Sequence, residues 1–395
     1  VLNKISVIGL GKLGAPMVAC LARNFEVIGV DKDIAKVAQV ARGIAPVNET
    51  GLEYEFQRNK ARIYATDSIV SAVEGSDITF IVVATPSEET GEFSLKYVLP
   101  VCEEIGQALR TKKSFHVVAL SSTVMPGATD GPVKETLERC SGKKCGKDFG
   151  LCYNPEFIAL GSVIKDFLNP DFVLIGESDG LSGDILQSVY WGIGGATWPY
   201  ARMSATNAEL TKLALNTFVT TKISFANMLS QICERLPGGD VDVVTSALGL
   251  DSRVGKKYLK GGASYGGPCF PRDNRALSRL AELLRVRADL PKATDRVNTE
   301  QFWSLIGHIA YTHAYRPKVG ILGLTYKPGT DVLENALGVQ VTEHLVSLGF
   351  EVEIYDPMYK AGLAGAHSAL SARDCVEHTE MIVVTTVCQE FLDIP

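Results

Sequence analysis

The sequence predicts an α/β protein made of two doubly wound domains joined by a long central helix and a helical middle domain. Three observations carry this. Short β-branched runs at residues 5–9, 27–30 and 78–83 alternate with amphipathic stretches, the pattern of parallel strands with helical crossovers. Residues 204–236 contain no proline before Pro237. They place Leu210, Leu213, Leu215, Phe218, Ile223, Phe225 and Met228 at mostly three- and four-residue steps, which predicts one long, largely buried helix. Finally, the plan of the N-terminus (strand, glycine turn, helix, strand, acid) returns at 318–322, Gly323, 352–355 and Asp356.

The first domain is expected over residues 1–200, its sheet continued by strands at 116–120 and 172–175. The helical middle, a candidate dimer contact, is expected over 201–300, and the second α/β domain over 301–395. A chain of 395 residues suits two or three domains at about 150 residues each. The apolar run at 382–387 lies close to the last residue, so the second sheet is expected to lack its closing elements.

Composition narrows the function. Lys and Arg number 39 against 45 Asp and Glu, a net charge of −6, which offers no general field for a nucleic acid. With 46% hydrophobic and 21% charged residues the chain is an ordinary folded protein. No apolar run approaches the roughly 18 residues of a membrane span. The nine cysteines show neither C-x-x-C pairs nor a secretory leader, so reduced thiols, a cytoplasmic location and no metal site are expected.

Gly9, Gly11 and Gly14 follow the first strand as G-L-G-K-L-G and open a helix. The first permits the turn, the second admits a pyrophosphate, and the third allows close helix–strand packing. Asp31 stands twenty residues after Gly11, where a carboxylate takes ribose hydroxyls and repels a 2′-phosphate. This Rossmann-like arrangement predicts NAD in preference to NADP; the alternative is a tight turn without a ligand. In the second glycine turn, Lys327 is expected near a helix start, where amide donors and an ammonium can meet a phosphate.

At Gly261–Asn274 the bend Gly266-Gly267-Pro268 precedes Cys269, and Pro271 suits the first helical position. Cys269 is therefore expected at the positive end of a helix dipole, which favours a nucleophilic thiolate. The competing reading makes it a small buried apolar residue, with Asp273 a surface carboxylate. Lys212 and Asn216 share a face of the long helix, where Lys212 is either half-buried or a snorkelling surface lysine. Glu156 follows a predicted strand in Y-N-P-E-F.

Together these segments resemble the nucleotide-sugar 6-dehydrogenase family, in particular its UDP-glucose and GDP-mannose branches and most of all the former. The resemblance rests on G-L-G-K-L-G from Gly9, V-D-K-D from Val30, V-A-T-P from Val83, S-S-T-V-M-P-G from Ser121, Y-N-P-E-F from Tyr153, A-E-L-T-K-L-A-L-N from Ala208, G-G-P-C-F-P-R-D from Gly266 and L-G-L-T-Y-K-P-G-T-D from Leu322. It implies an NAD-dependent four-electron oxidation of a sugar primary alcohol to a carboxylate, with UDP-glucose the first expected substrate. Cys269 is the implied nucleophile. Lys212, Asn216 and Asp273 would handle proton and oxyanion charge, and Glu156 and Thr123 would assist hydrolysis. Implied cofactor contacts are Gly9, Gly11, Lys12, Leu13, Gly14, Asp31, Lys32, Thr85, Pro86, Ser122, Thr123 and Arg272. Implied substrate contacts are Glu156, Phe157, Lys212, Asn216, Arg253, Tyr258, Lys260, Gly266, Tyr326 and Lys327, with Arg253 reaching across a homodimer interface. The chain departs from the family pattern at Ile158–Gly161 and Val332–Glu334. Two other readings are a two-electron β-hydroxyacid dehydrogenase, which needs neither thiol nor second α/β domain, and a silent nucleotide-sugar sensor suggested by Leu160 and Glu334.

Overall fold

The computed structural model describes residues 2–311 and 315–394. The chain divides into two compact units, Val1–Lys212 and Leu213–Pro395.

The first unit is built on an eight-stranded sheet. Its strands are β1 (Lys4–Ile8), β2 (Glu26–Val30), β3 (Ile63–Thr66), β4 (Ile78–Ile81), β5 (Val117–Leu120), β6 (Gly150–Tyr153), β7 (Val173–Glu177) and β8 (Tyr200–Met203), in the order β3-β2-β1-β4-β5-β6-β7-β8. Every pairing is parallel except β6 with β7. Side chains alternate across the sheet, so Val117 and Ala119 of β5 join one core cluster and Val118 and Leu120 the other. A strand buried on both faces needs an unbroken apolar run, and V-V-A-L supplies one. The order reverses direction between β1 and β4. In such sheets that switch point opens a crevice beyond the carboxyl ends of the strands, where ligands bind.

The second unit contains a smaller parallel sheet, β11-β10-β9-β12, from β9 (Val319–Leu322), β10 (Val352–Tyr355), β11 (His367–Ser368) and β12 (Met381–Val384). The recurring plan is present: Gly323 turns with φ +91° after β9, a helix follows at Leu337–Ser347, and β10 ends at Asp356. Asp356 accepts from the backbone N–H groups of Leu324 (2.7 Å) and Thr325 (3.0 Å) and, through its other oxygen, from that of Met358 (2.7 Å). The acid at the end of the second strand staples the glycine turn after the first.

The long helix runs Ala205–Cys233, and its burial corrects the expectation. Leu213 is buried, but Leu210, Phe218, Phe225, Met228 and Ile232 face outward, Phe218 at 65% exposure. Besides small alanines, the buried positions are largely polar, among them Glu209, Lys212, Asn216, Thr217, Thr220, Ser224 and Asn227. The three-and-four spacing marked the apolar positions, yet burial fell to a polar face, where Glu209, Lys212, Asn216, Thr220, Ser224 and Asn227 each gain a hydrogen-bonding partner.

Candidate active site

In the first unit, the turn after β1 is shaped by contact with β4. Gly9 has φ +103°, and a Cβ there would meet Val82 O at 2.3 Å; a Cβ at Gly14 would meet Gly9 O at 1.8 Å. Nothing lies within 4 Å of the Cβ position of Gly11, so that glycine leaves an open approach to its backbone. Asp31 ties the crevice wall together, its Oδ2 accepting from Leu10 N–H at 2.8 Å and its Oδ1 from Asp33 N–H at 2.9 Å. Each oxygen keeps a second lone pair for a ribose hydroxyl. Beyond β4 and β5 the two neighbouring loops are bonded together. Thr85 Oγ1 donates to Thr123 O at 2.7 Å, and Ser122 Oγ to Val83 O at 2.6 Å. Lys12 and Leu13 lie within the turn, Pro86 follows Thr85, and Lys32 is exposed over the Tyr97 ring at 5.4 Å. An open Gly11, closely packed Gly9 and Gly14 and a carboxylate at the end of β2 fit a dinucleotide.

A second cluster of the same unit surrounds Glu156, just after β6. Lys212 Nζ donates to the Glu156 carbonyl at 2.5 Å and sits 4.5 Å from the centre of the Phe157 ring. It is 8% exposed, so the snorkelling alternative does not hold. Burial pushes the Glu156 carboxyl up to about 7, against a hydrogen bond from Tyr190 and the Lys212 charge, which both pull it down. The loop bearing Thr123 is fixed by Glu209, a fully buried carboxylate that accepts from Gly127 N–H (2.6 Å), Thr129 N–H (2.8 Å) and Thr129 Oγ1 (2.6 Å). The sequence reading passed over Glu209 and Tyr190. Glu209 had a signal, a carboxylate three residues before Lys212 on its face of the helix.

In the second unit the helix Phe270–Leu283 begins one residue before Pro271, with Cys269 at its N-cap and Pro271 in its first turn. Cys269 is exposed, whereas burial drives the thiols of Cys20, Cys102 and Cys375 up to about 12. Asp273 is 1% exposed, not a surface carboxylate; its Oδ2 accepts from Asn216 Nδ2 at 2.6 Å, and its N–H donates to Cys269 O at 2.9 Å. Arg272 Nε lies 3.7 Å from Asp273 Oδ1. The cysteine loop packs against the turn after β9. A Cβ on Gly266 would meet Asn335 O at 1.9 Å, and one on Gly267 would meet the Tyr326 ring at 2.5 Å. Tyr326 and Lys327 are thus brought alongside the Cys269 loop. Lys327 does not start a helix, because Pro328 and Gly329 turn the chain and the next helix begins only at Leu337. Tyr258 has φ +60° and lies edge-on to Phe270 at 6.4 Å, Lys260 is exposed, and Arg253 is bonded to Asp251 at 2.6 Å. The structure therefore groups Cys269, Asn216, Asp273, Gly266, Tyr326 and Lys327 in one unit, and Glu156, Phe157, Lys212, Thr123 and the glycine turn in the other.

Glu353, Asp374 and His378 could offer ligand atoms to a metal ion, all within 4.8 Å of one another. Lys318 Nζ already stands 2.9 Å from Glu353, and His378 Nδ1 3.0 Å from Asp374. Among the described residues no helix is long and apolar enough to cross a membrane.

Comparison with known proteins divides the chain into three segments. Residues 3–193 match the NAD binding domain of the UDP-glucose/GDP-mannose dehydrogenase family, 206–300 its central domain and 320–395 its UDP binding domain. The chain is 39% identical over 359 residues to a GDP-mannose 6-dehydrogenase of Pseudomonas putida, covering 89% of this chain and 80% of that protein. It is 32% identical to a UDP-glucose 6-dehydrogenase of Pseudomonas aeruginosa, over 98% of this chain and 88% of that one. Among solved structures it resembles a UDP-glucose dehydrogenase from Pyrobaculum islandicum with a TM-score of 0.93 at 32% identity, over 100% of this chain and 92% of that one.

Proposed function

The chain belongs to the UDP-glucose/GDP-mannose dehydrogenase family, and from that premise we propose that it oxidises the C6 primary alcohol of a nucleotide-linked hexose to a carboxylate, with UDP-glucose as substrate and UDP-glucuronate as product. NAD, which the turn of Gly9, Gly11 and Gly14 and the carboxylate of Asp31 would hold, would supply the hydride acceptor, one molecule for each of the two oxidations. Lys212 or Asp273, directly or through water, takes the hydroxyl proton. The Cys269 thiolate then adds to the aldehyde carbon, giving a thiohemiacetal whose oxidation leaves a thioester on the sulfur. Water breaks the thioester, releasing carboxylate and thiol, with Glu156 taking the water's proton and Thr123 assisting. The Lys212 ammonium and Asn216 amide stabilise the oxyanions on the way.

The observation that carries this reading is the exposed Cys269 thiol at the N-cap of Phe270–Leu283, where the helix dipole favours an anion. A substrate panel of UDP-glucose, UDP-galactose, GDP-mannose and their N-acetyl relatives, scored by NADH per sugar, tests it. Two NADH per sugar is expected; one would support a two-electron β-hydroxyacid dehydrogenase, and binding without any NADH a silent sensor. Cys269→Ser should abolish uronate formation while NAD still binds; uronate at the wild-type rate from that variant would exclude covalent catalysis. GDP-mannose is the second reading, favoured by the 39% identity to the Pseudomonas putida relative. The outward apolar face of Ala205–Cys233 supports a homodimer. A role for the exposed Arg253 in the neighbouring subunit's site and a cytoplasmic location belong to the same proposal.

A further inference from the structure

Tyr190 lies in the helix Gly180–Gly192, buried between Phe167 and Trp198, and its hydroxyl oxygen is placed between two acceptors. Asn154 Oδ1 is 2.6 Å away and Glu156 Oε1 2.8 Å away. The Asn154 amide cannot turn to serve as donor here, because its Nδ2 already donates to Leu174 O at 3.0 Å. A phenol carries one hydrogen, so it cannot donate to both neighbours at once. Both short contacts are satisfied together only when Glu156 carries a proton and donates it to the tyrosine oxygen while Tyr190 donates to Asn154. Once Glu156 loses its proton, the tyrosine hydrogen turns to the carboxylate and Asn154 Oδ1 is left without it.

We propose that Tyr190 is a positioning residue for the reaction above, sharing its single hydroxyl hydrogen between Asn154 and Glu156 and thereby setting when Glu156 is ready to accept a proton from water. The inference rests on the role assigned to Glu156 in the proposed function. The other groups acting on this carboxyl are Lys212, whose ammonium bonds the Glu156 carbonyl, and the Cys20 thiol on the glycine-turn helix; Tyr200 acts electrostatically on Tyr190. Burial and the Tyr190 bond act on Glu156 in opposite directions.

The two ends of the chain make opposite forecasts. Tyr190→Phe removes the hydrogen bond to the carboxylate, so the acidic limb of the kcat–pH profile should move up by about one pH unit. Asn154→Ala removes the competitor for the tyrosine hydrogen, so the limb should move down by a comparable amount, about one unit. Thermal melts of both variants verify folding, and either variant alone still tests its own direction. Limbs that stay put, or move the same way in both variants, overturn the proposal, as does an acidic limb that survives in Glu156→Gln. If the wild-type enzyme oxidises none of the sugar nucleotides in the panel, the parent reading fails. If it does, and Glu156→Gln removes a limb that both other variants leave in place, only the role of Tyr190 fails.

Discussion

The glycines after β1 look alike in the sequence but are held for different reasons. A methyl on Gly14 would run into Gly9 O at 1.8 Å, whereas at Gly11 it would point into open space. Gly14→Ala should therefore cost about 1–3 kcal/mol of stability through overpacking, read by urea unfolding. Gly11→Ala should leave the unfolding midpoint within error yet weaken NAD binding in a titration; equal destabilisation by both would refute the distinction. Residues set by spacing to a glycine, a proline or an acid were legible in the sequence: Gly9, Asp31 and Cys269 stand where the pattern placed them. Tyr190, Asn154 and Glu209 were not, since they act through partners far along the chain, Glu209 through a residue 80 positions away. No local pattern encodes such a pairing.

Among the elements, β1, β4 and β5 enclose a polar ring within an otherwise apolar sheet. His116 is fully buried, with Nε2 2.8 Å from Thr79 Oγ1 and Nδ1 3.2 Å from Ser76 O. Ser6 Oγ joins Thr79 (2.7 Å) to Ser76 (3.0 Å). The carbonyl can only accept, so His116 carries a hydrogen on Nδ1, and in the neutral ring Nε2 accepts from Thr79. Burial, reinforced by the nearby Lys112, holds its pKa down at about 3 against an ordinary 6.5. Between those values the unfolded chain binds a proton that the folded one refuses, so stability falls as pH drops below 6.5. Lowering the pH from 7 to 5 should remove about 2 kcal/mol through this residue alone. Urea unfolding at both pH values checks this, and His116→Gln should lose that increment; an equal pH dependence in the variant would exclude His116 as its source. The central strands were readable because double burial demands continuous β-branched runs. β8, with Arg202 in its middle, and two-residue β11 carry no such run and escaped notice.

For the whole molecule, the exposed line of Leu210, Phe218, Phe225, Met228 and Ile232 is an apolar patch that a lone chain would leave in water. On the proposed homodimer, Phe218→Asp should shift the sedimentation coefficient from dimer to monomer at micromolar concentration; an unchanged value would exclude this face as a dimer contact. The opposite side of this helix has its own consequence within the second unit. Asn216 reaches Asp273, Thr220 reaches Asn274, Ser224 reaches the carbonyl of Thr294, and Asn227 receives the N–H of Gly262. Greasy surfaces can slide over one another by a fraction of a turn at small cost, whereas here every rung would have to let go at the same moment. The rod is thus keyed like a ratchet: a lesion on this face should make the machine stall abruptly instead of running gradually out of true.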